Sequence, residues 1–452
     1  MRQAPAQELI QQVEKRLLAL TPPQALMLSF VGLSLLGTLL LKLPAATTEP
    51  ISWMQALFTS VSASTVTGLA VLDIGTRFTL FGQCILLLLV HAGGLGLMTF
   101  GIFVIFLTQD KLSLGHRKAL SEAMNQREHG SLRQLLKWMF GFTIAMEAAG
   151  TLLLALRWVP ELGWQQGLFY SFFHAVSAFN NAGIGLRSDS LIGYVADPLV
   201  NTVISVLFIT GGIGFVVIAD LMSKRRFRDY ALHTKVMLIG TLVINAVAML
   251  LILALEHGNP ATLGKLPLLS ERLWAAWFQA VAPRSAGFNT VDVGSLLPAT
   301  SFLIMGLMFI GGGSGSTASG IKLSTFIVML VATRAFLREE DRPVLFGRSI
   351  DPPTITRALS ILIISLLCVI TGVFLLVAIE RGGFLDLAFE AVSAFGTVGL
   401  SRGITAELSL PGQAVIMLLM LIGRVGPLTL AFTMARRQRT AIQYPAGKIT
   451  IG

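Results

Sequence analysis

Charged residues and cysteines are both scarce in this chain. Only 13% of its 452 residues are Asp, Glu, Lys or Arg, and it contains two cysteines, Cys84 and Cys368. The sequence has no Ser/His/Asp set, no closely spaced His or Cys cluster, no phosphate-binding glycine loop and no dinucleotide fingerprint after a strand. We therefore do not expect an enzyme. Both cysteines lie in apolar runs, where they are expected to pack and not to bind metal or form a disulfide.

Apolar residues, by contrast, dominate the composition and occur in long runs. Hydrophobic residues make up 54% of the chain, which is typical of a membrane protein that crosses the bilayer several times. Each of the longest runs approaches or exceeds the ~20 residues that a spanning helix requires. These runs are 24–41, 78–108, 198–219, 236–255, 358–379 and 413–434. We predict an all-α fold with eight spanning helices, the first of which is retained and is not a cleaved signal peptide.

Basic residues are concentrated between the apolar runs and predict the topology. The net charge is +10, and most of the lysines and arginines fall in five segments: 1–24, 109–137, 223–235, 334–357 and 435–452. Because basic segments stay on the cytoplasmic side, both termini are expected inside. This distribution accounts for the charge without nucleic acid as a partner. No cytoplasmic segment is as long as the roughly 50 residues of a small domain, so a soluble regulator would be a separate chain.

A short motif recurs four times between successive spans, and each copy starts with Phe and ends just after a glycine. The copies are FTSVSASTVTGL at 58–69, FHAVSAFNNAGI at 173–184, FQAVAPRSAGF at 278–288 and FEAVSAFGTVGL at 389–400. Each is too short and too polar to cross the bilayer facing lipid, so we expect a hairpin that dips in and returns, lining a shared cavity. The third copy is one residue shorter and contains Pro283, so we expect it to differ locally.

The aligned glycines of these motifs suggest an ion filter. Glycine adopts positive φ at little cost, which allows adjacent carbonyl oxygens to turn toward an axis and replace the hydration shell of a cation. The alternative is that they are ordinary packing or turn glycines. The predicted filter residues are Thr65, Val66, Thr67, Gly68, Asn180, Asn181, Ala182, Gly183, Arg284, Ser285, Ala286, Gly287, Gly396, Thr397, Val398 and Gly399.

Glycine also interrupts the second span of the third repeat, in GGGSGSTASGIK at 311–322. At ~1 kcal/mol per glycine relative to alanine, this composition predicts a break in the helix. A small-residue packing interface is the alternative. The predicted gate comprises Gly311, Gly312, Gly313, Ser314, Gly315, Ser316, Thr317, Ala318, Ser319 and Gly320, together with Arg424. Arg424 is a candidate because a charge at membrane depth is costly unless it faces water or a partner.

Three of the filter motifs carry a family resemblance. TVTGL at 65–69, RSAGFNT at 284–290 and GTVGL at 396–400 resemble the filters of the Trk/Ktr/HKT potassium transporters. The similarity covers the whole chain, and the short leader resembles the Ktr type. It implies potassium as the transported ion, sodium as an activator, an intramembrane gating loop near a fourth-repeat arginine, and a homodimer on a cytoplasmic KtrA-like ring of nucleotide-binding subunits. The implied location is the bacterial cytoplasmic membrane.

The four motifs also predict the organisation of the chain. We expect four repeats, each a spanning helix, a pore helix and a second spanning helix, around one pore with pseudo-fourfold symmetry. The predicted parts are a leader at 1–23, repeats at 24–108, 134–222, 233–336 and 356–436, and a tail at 437–452. A sodium-coupled carrier with a broken-helix substrate site is the alternative function. A purely structural scaffold would not require four aligned glycine loops.

Overall fold

The structure is a computed structural model that describes the backbone of residues 22–109 and 132–426 and the side chains of 24–96 and 137–426. Most of the predicted leader, most of the basic segment at 109–137, and the tail at 437–452 lie outside the described residues.

The described chain is mostly helical. The main helices are α1 (Pro22–Leu41), α2 (Trp53–Ser64), α3 (Leu80–Gln109), α4 (Leu132–Leu162), α5 (Trp164–Phe179), α6 (Pro198–Ile213), α7 (Phe215–Ser223), α8 (Leu232–Glu256), α9 (Leu269–Val281), α10 (Pro298–Phe309), α11 (Leu323–Leu337), α12 (Pro352–Ile379), α13 (Phe384–Gly396) and α14 (Leu410–Val425). Short helical turns lie at Ile74–Arg77, Ile192–Tyr194, Phe227–Asp229, Leu263–Lys265, Val293–Ser295 and Thr405–Glu407. A small hairpin pairs β1 (Val344–Leu345) with β2 (Arg348–Ser349).

Several helices are suited to a bilayer. Within the part of the chain that the structure describes, α1, α4, α8 and α12 are long and apolar enough to cross a membrane. The predicted single span at 198–219 is instead divided, because α6 and α7 meet at a bend of 97° at Gly214. Shorter apolar helices occupy Leu80–Gly96, α10, α11 and α14. The structure thus contains several membrane-type helices, and the count of eight crossings stays a prediction.

The outward faces of the long helices are apolar, as a lipid solvent requires. On α12, Leu367 is 58% exposed and Phe374 is 69% exposed, and on α8 Leu242 is 67% exposed. Exposed apolar side chains on this scale would be unfavourable in water but match hydrocarbon.

The short helices α2, α5, α9 and α13 carry the four motifs and lie inside the ring of longer helices. The first residue of each motif is a phenylalanine that is almost entirely buried, namely Phe58, Phe173, Phe278 and Phe389. Each short helix packs against the long helix before it: α2 on α1, α5 on α4, α9 on α8 and α13 on α12. The repeated Phe therefore anchors each short helix in the core.

A second set of contacts joins the surroundings of one motif to the next motif. The helix that follows each motif also packs on the short helix of the next motif along the chain: α3 on α5, α6 on α9, α10 on α13 and α14 on α2. The last of these contacts returns to the first motif, so the packing is cyclic.

Close helix packing requires glycine at particular positions, and Gly211 on α6 provides a test. A Cβ at Gly211 would lie 1.9 Å from the carbonyl oxygen of Phe179 at the end of α5, whereas one at Gly306 on α10 would meet nothing within 4 Å. We expect Gly211→Ala to lower stability by about 1–3 kcal/mol through overpacking. The apparent melting temperature of the purified protein in detergent should fall.

Gly306→Ala is the matched control, because it adds the same methyl group to a helix where there is space. It should leave the melting temperature unchanged or raise it slightly, since alanine favours helix. Equal melting temperatures for the two variants would contradict the close approach at Gly211.

Candidate functional site

The four motif glycines meet in one place. At each of them, an added Cβ would collide with the carbonyl oxygen of the residue just before the next glycine. The collisions are Gly68 with Ala182 at 2.2 Å, Gly183 with Ala286 at 2.6 Å, Gly287 with Val398 at 2.3 Å, and Gly399 with Thr67 at 2.3 Å. The contacts run in chain order and close on themselves, so four backbone segments surround a common centre that leaves no room for side chains at the glycines.

The backbone of the four loops is left-handed at two positions each. The glycines have φ of 92°, 64°, 73° and 92°. The residue two positions before each glycine is also left-handed, at Val66, Asn181, Ser285 and Thr397. Left-handed residues in alternation turn successive carbonyls toward the same side of the chain, which is the arrangement of a carbonyl-lined cation filter.

The second left-handed position was not expected from the sequence. Positive φ is rare for residues other than glycine and asparagine, and it is unfavourable for a β-branched residue such as Val66 or Thr397. Such a conformation persists only where the surrounding structure imposes it.

A backbone hydrogen bond that recurs in all four motifs ties each loop to its helix. In three loops, the N–H just before the glycine donates to the carbonyl five residues earlier, from Thr67 to Ser62 at 2.8 Å, Ala182 to Ser177 at 2.8 Å and Val398 to Ser393 at 2.9 Å. In the third loop, Ala286 donates to Ala282 at 2.9 Å, only four residues back. The residue that the third motif lacks is therefore missing from within the turn that this hydrogen bond closes, between Ala282 and Ala286. The two left-handed positions next to it are kept in all four loops.

The polar side chains of the predicted filter do not all face its centre. The Arg284 guanidinium turns away and donates to Asn245 Oδ1 on α8 at 3.1 Å. The Thr65 and Thr67 hydroxyls bond each other at 2.7 Å. Gly396 is the last residue of α13 and packs on the backbone of Met308, so it lies outside the loop proper. The sequence alone could not show which of these side chains face the centre of the ring and which face away.

The Asn180 side chain is hydrogen-bonded to a buried carboxylate. Its Nδ2 donates to Glu147 Oε1 on α4 at 2.9 Å, and the same oxygen lies 3.4 Å from His91 Nδ1 on α3. Glu147 is only 6% exposed. A buried carboxylate needs such partners, so this contact fixes the second loop against two long helices.

A cavity of about 430 Å³ lies beyond the ring, on the side of the segments that follow the glycines. All four glycines contribute to its lining, and so do the carboxylates Asp73, Asp189 and Asp292. Arg187 also lines the cavity, where Asp189 contacts it at 3.2 Å. A wide vestibule with carboxylates at its wall can collect cations in front of the ring.

The loop between α10 and α11 occupies the predicted break at 311–320. Its ends bond to each other, since Gly311 N–H donates to Ile321 O at 2.8 Å and Leu323 N–H donates to Gly312 O at 3.0 Å. The interruption expected from the glycines is thus an ordered turn of chain that connects two half-helices.

The middle of this loop docks on the break between α6 and α7. Gly313 N–H donates to Gly212 O at 2.8 Å, and Thr317 N–H donates to Gly211 O at 3.2 Å. In return, Phe215 N–H at the start of α7 donates to Gly315 O at 3.1 Å. The interrupted helices α6–α7 and α10–α11 therefore satisfy each other's free backbone groups, as buried irregular backbone must.

Arg424 reaches the same loop from α14. Its guanidinium donates to Thr317 O, to Ser319 Oγ at 3.1 Å and to Gly93 O on α3 at 2.7 Å. It is 2% exposed, and the ion pairs found in the described part of the chain do not include it. Lys322 donates to Ala318 O at 2.6 Å. Arg284 also donates to Gly311 O, at 3.5 Å, so three cationic side chains bind carbonyls of the loop.

A second glycine pattern marks the helices that follow the motifs. The segments GGLG at 93–96, GGIG at 211–214 and GRVG at 423–426 place a glycine against the end of the preceding short helix. A Cβ would lie 1.9 Å from Ser64 O at Gly93 and 1.8 Å from Phe395 O at Gly423. This pattern could have predicted the register of Arg424 from the sequence. It could not have predicted the bend at Gly214, because α3 continues as a helix through the same pattern at 93–96.

Comparison with known proteins decides the family. The family model described as TrkH, "Cation transport protein", matches residues 19–443. The chain belongs to the TrkH family. The predicted resemblance is thereby confirmed.

Relatives within this family cover almost the whole chain. The chain is 50% identical to "Ktr system potassium uptake protein B" of Bacillus subtilis over 96% of its own length and 97% of that protein. It is 44% identical to the protein of the same name in Vibrio alginolyticus, with 95% of each chain covered. These names describe transport proteins, in agreement with the prediction that the chain is not an enzyme.

A solved structure has the same fold. The potassium transporter TrkH of Vibrio parahaemolyticus matches with a TM-score of 0.71 and 18% sequence identity, over 90% of this chain and 83% of that one. At this identity the likeness concerns the fold, which for this TrkH family member is mostly helical and membrane-type.

The hydrogen bond between Asn180 and Glu147 predicts the effect of a substitution in this TrkH family member. Glu147→Ala should leave the buried Asn180 amide without one of its acceptors, and we expect a loss of about 1–3 kcal/mol. Thermal unfolding in detergent should show a lower melting temperature. Glu340→Ala removes an exposed carboxylate as a control. A melting temperature equal to the control's would mean that Glu147 does not hold the loop.

Proposed function

We propose that the chain takes up potassium across the bacterial cytoplasmic membrane through a gated pore. The observation that carries the proposal is the closed ring in which each motif glycine abuts the carbonyl before the next. Four converging backbone segments offer carbonyl oxygens in place of the water around an alkali ion. The two relatives named as potassium uptake proteins support the choice of ion.

The ring is suited to a monovalent cation. Its members are neutral backbone groups, so a passing ion is stabilised by carbonyl dipoles and is not held by a full charge. All four ring positions are glycine, at Gly68, Gly183, Gly287 and Gly399. The resemblance to the Trk/Ktr/HKT transporters associates this with potassium selectivity.

We extend the proposal to the architecture of four repeats around one pore. The proposed repeats are 24–108, 134–222, 233–336 and 356–436, with eight crossings and both termini in the cytoplasm. The cyclic packing of α3 on α5, α6 on α9, α10 on α13 and α14 on α2 supports this arrangement. The basic segments support the orientation.

We also propose that the loop at 311–320 and Arg424 form the gate. The loop lies beside the filter and is bonded by Arg424 at Thr317 and Ser319. A fixed positive charge on the cation path raises an electrostatic barrier, which falls when the loop and the arginine move apart.

Partners and regulation remain part of the proposal. The words "Ktr system" in the names of two relatives support an assembly with other subunits. We propose a homodimer on a cytoplasmic KtrA-like nucleotide-binding ring, with sodium stimulation of uptake.

A sodium-coupled carrier is the second candidate. It is favoured by the two interrupted helices, α6–α7 and α10–α11, which lie side by side. A carrier predicts sodium entry in fixed ratio with potassium, whereas a pore predicts potassium flux that persists without sodium.

The filter can be tested in a bacterium that lacks its own potassium uptake. The chain should restore growth at low potassium. Gly287→Ser should raise the KM for rubidium uptake at least about tenfold, a change of ~1.4 kcal/mol. The backbone at this position has a φ of 73°, which serine adopts rarely, and the added Cβ would collide with Val398 O. Gly193→Ser, at a glycine with open space around it, is the control. The filter assignment fails if both variants take up rubidium like the parent.

The gate can be tested at Arg424. Arg424→Ala should raise rubidium flux severalfold in proteoliposomes that contain no regulatory chain, because the loop loses its contacts and the pore loses a positive charge. Arg338→Ala, which removes an exposed arginine, should have no such effect. Flux that stays at the parent level after Arg424→Ala would remove this residue from the gate.

A further inference from the structure

Two filter residues also contact the gating loop. Among the left-handed residues that precede the filter glycines, Asn181 has its carboxamide 2.6 Å from Thr317 Oγ1. Ser285 Oγ accepts a hydrogen bond from Ser319 N–H at 3.3 Å. The corresponding residues of the first and fourth loops, Val66 and Thr397, make no such side-chain bond within the described residues. Within the described part of the chain, these side-chain bonds fix the gating loop to the second and third filter loops.

Asn181 connects three parts of the site at once. In the orientation that satisfies both amide atoms, Oδ1 accepts from the Thr317 hydroxyl at 2.6 Å and from Gly212 N–H at 3.2 Å, while Nδ2 donates to Phe208 O at 3.0 Å. Gly212 and Phe208 belong to the last turns of α6. One filter side chain thus bonds the gating loop and the interrupted helix on which that loop rests.

The same two loop residues are held from the other side by Arg424. Thr317 contacts Asn181 through its side chain and Arg424 through its carbonyl. Ser319 contacts Ser285 through its N–H and Arg424 through its hydroxyl. All five residues are buried. Moving the loop out of the pore must break the bonds to the filter as well as those to Arg424.

We propose that Asn181 and Ser285 form a latch that couples the filter to the gate. The proposal rests on the proposed function, and it makes these side chains positioning residues of the gate as well as members of the filter loops. When the gating loop leaves, the left-handed positions of two filter loops lose a partner, so the closed and open states hold a cation with different affinity. Because such coupling is reciprocal, a cation bound in the filter also changes the gate equilibrium.

The alternative is that these hydrogen bonds only stabilise the fold. A stabilising bond changes the melting temperature without linking it to the ion. A latch changes both the flux without a regulator and the affinity for the ion. The two explanations therefore predict different results when the melting temperature is measured at several potassium concentrations.

The test uses the purified full-length chain in proteoliposomes without a regulatory chain. Ser285→Ala removes the hydroxyl of one latch residue, and Thr317→Val removes the hydroxyl that the other latch residue, Asn181, contacts. We expect a severalfold higher rubidium flux in each. We also expect a shift of at least about threefold in the potassium concentration that gives half of the maximal thermal stabilisation in detergent, since about 0.6 kcal/mol of coupling produces this change.

The matched controls are Ser365→Ala on α12 and Thr300→Val on α10. Each removes a buried hydroxyl that has no hydrogen-bond partner in the described structure. Thr317→Ser keeps the hydroxyl and should restore parental flux and potassium affinity. This variant shows that any effect of Thr317→Val comes from the lost bond and not from misfolding.

The outcomes are distinct. Latch variants that match the controls in flux and in potassium affinity overturn the latch. Lower melting temperature with unchanged potassium affinity also overturns it, because the bonds are then only structural. A parent chain that does not restore growth of the uptake-deficient bacterium at low potassium contradicts the proposed function, and the potassium-dependent melting still decides whether Ser285 and Thr317 affect a bound ion.

Discussion

The rest of the structure depends on the close approach of four backbone segments at the motif glycines. Each glycine lies so near the carbonyl of the next loop that a single methyl group would not fit. Such an approach requires the short helices to end at the same depth and to be held rigidly, which the buried phenylalanines and the cyclic helix contacts provide. The surrounding helices then supply an apolar exterior suited to lipid. The fold can thus be understood as a support for one narrow ring of carbonyl groups.

The region around the 311–320 loop differs from the glycine ring in how its backbone is held. Here the backbone is irregular at two places, the bend at Gly214 and the loop at 311–320, and each provides hydrogen-bond partners for the other. Arg424 adds a positive charge that is satisfied by carbonyl and hydroxyl oxygens and not by a carboxylate. Oxygen dipoles can be exchanged for water at lower cost than an ion pair, because a buried charge pair that loses one partner is strongly destabilised. This makes the contact suitable for the movement that the proposed gate requires.

Much of this site could be predicted from residue type and spacing. The four Phe-to-Gly motifs, the interrupted helix at 311–320 and the unusual Arg424 are visible in the sequence because glycine and charge are informative inside apolar runs. The left-handed conformations of Val66 and Thr397 could not be predicted, since they are imposed by the assembled loops against local preference. The bend at Gly214 was missed because its residues are apolar enough to continue a helix. The inward or outward direction of Arg284 depends on Asn245, a contact across 39 residues that no local pattern reveals.

The most direct test of the central claim is to locate the ion. Crystals of the protein grown in rubidium should give an anomalous peak at the ring, coordinated by the carbonyl oxygens of Thr67, Ala182, Ala286 and Val398, and the peak should weaken when potassium replaces rubidium. A bound rubidium ion found elsewhere in the membrane region, with the glycine ring empty, would contradict the account.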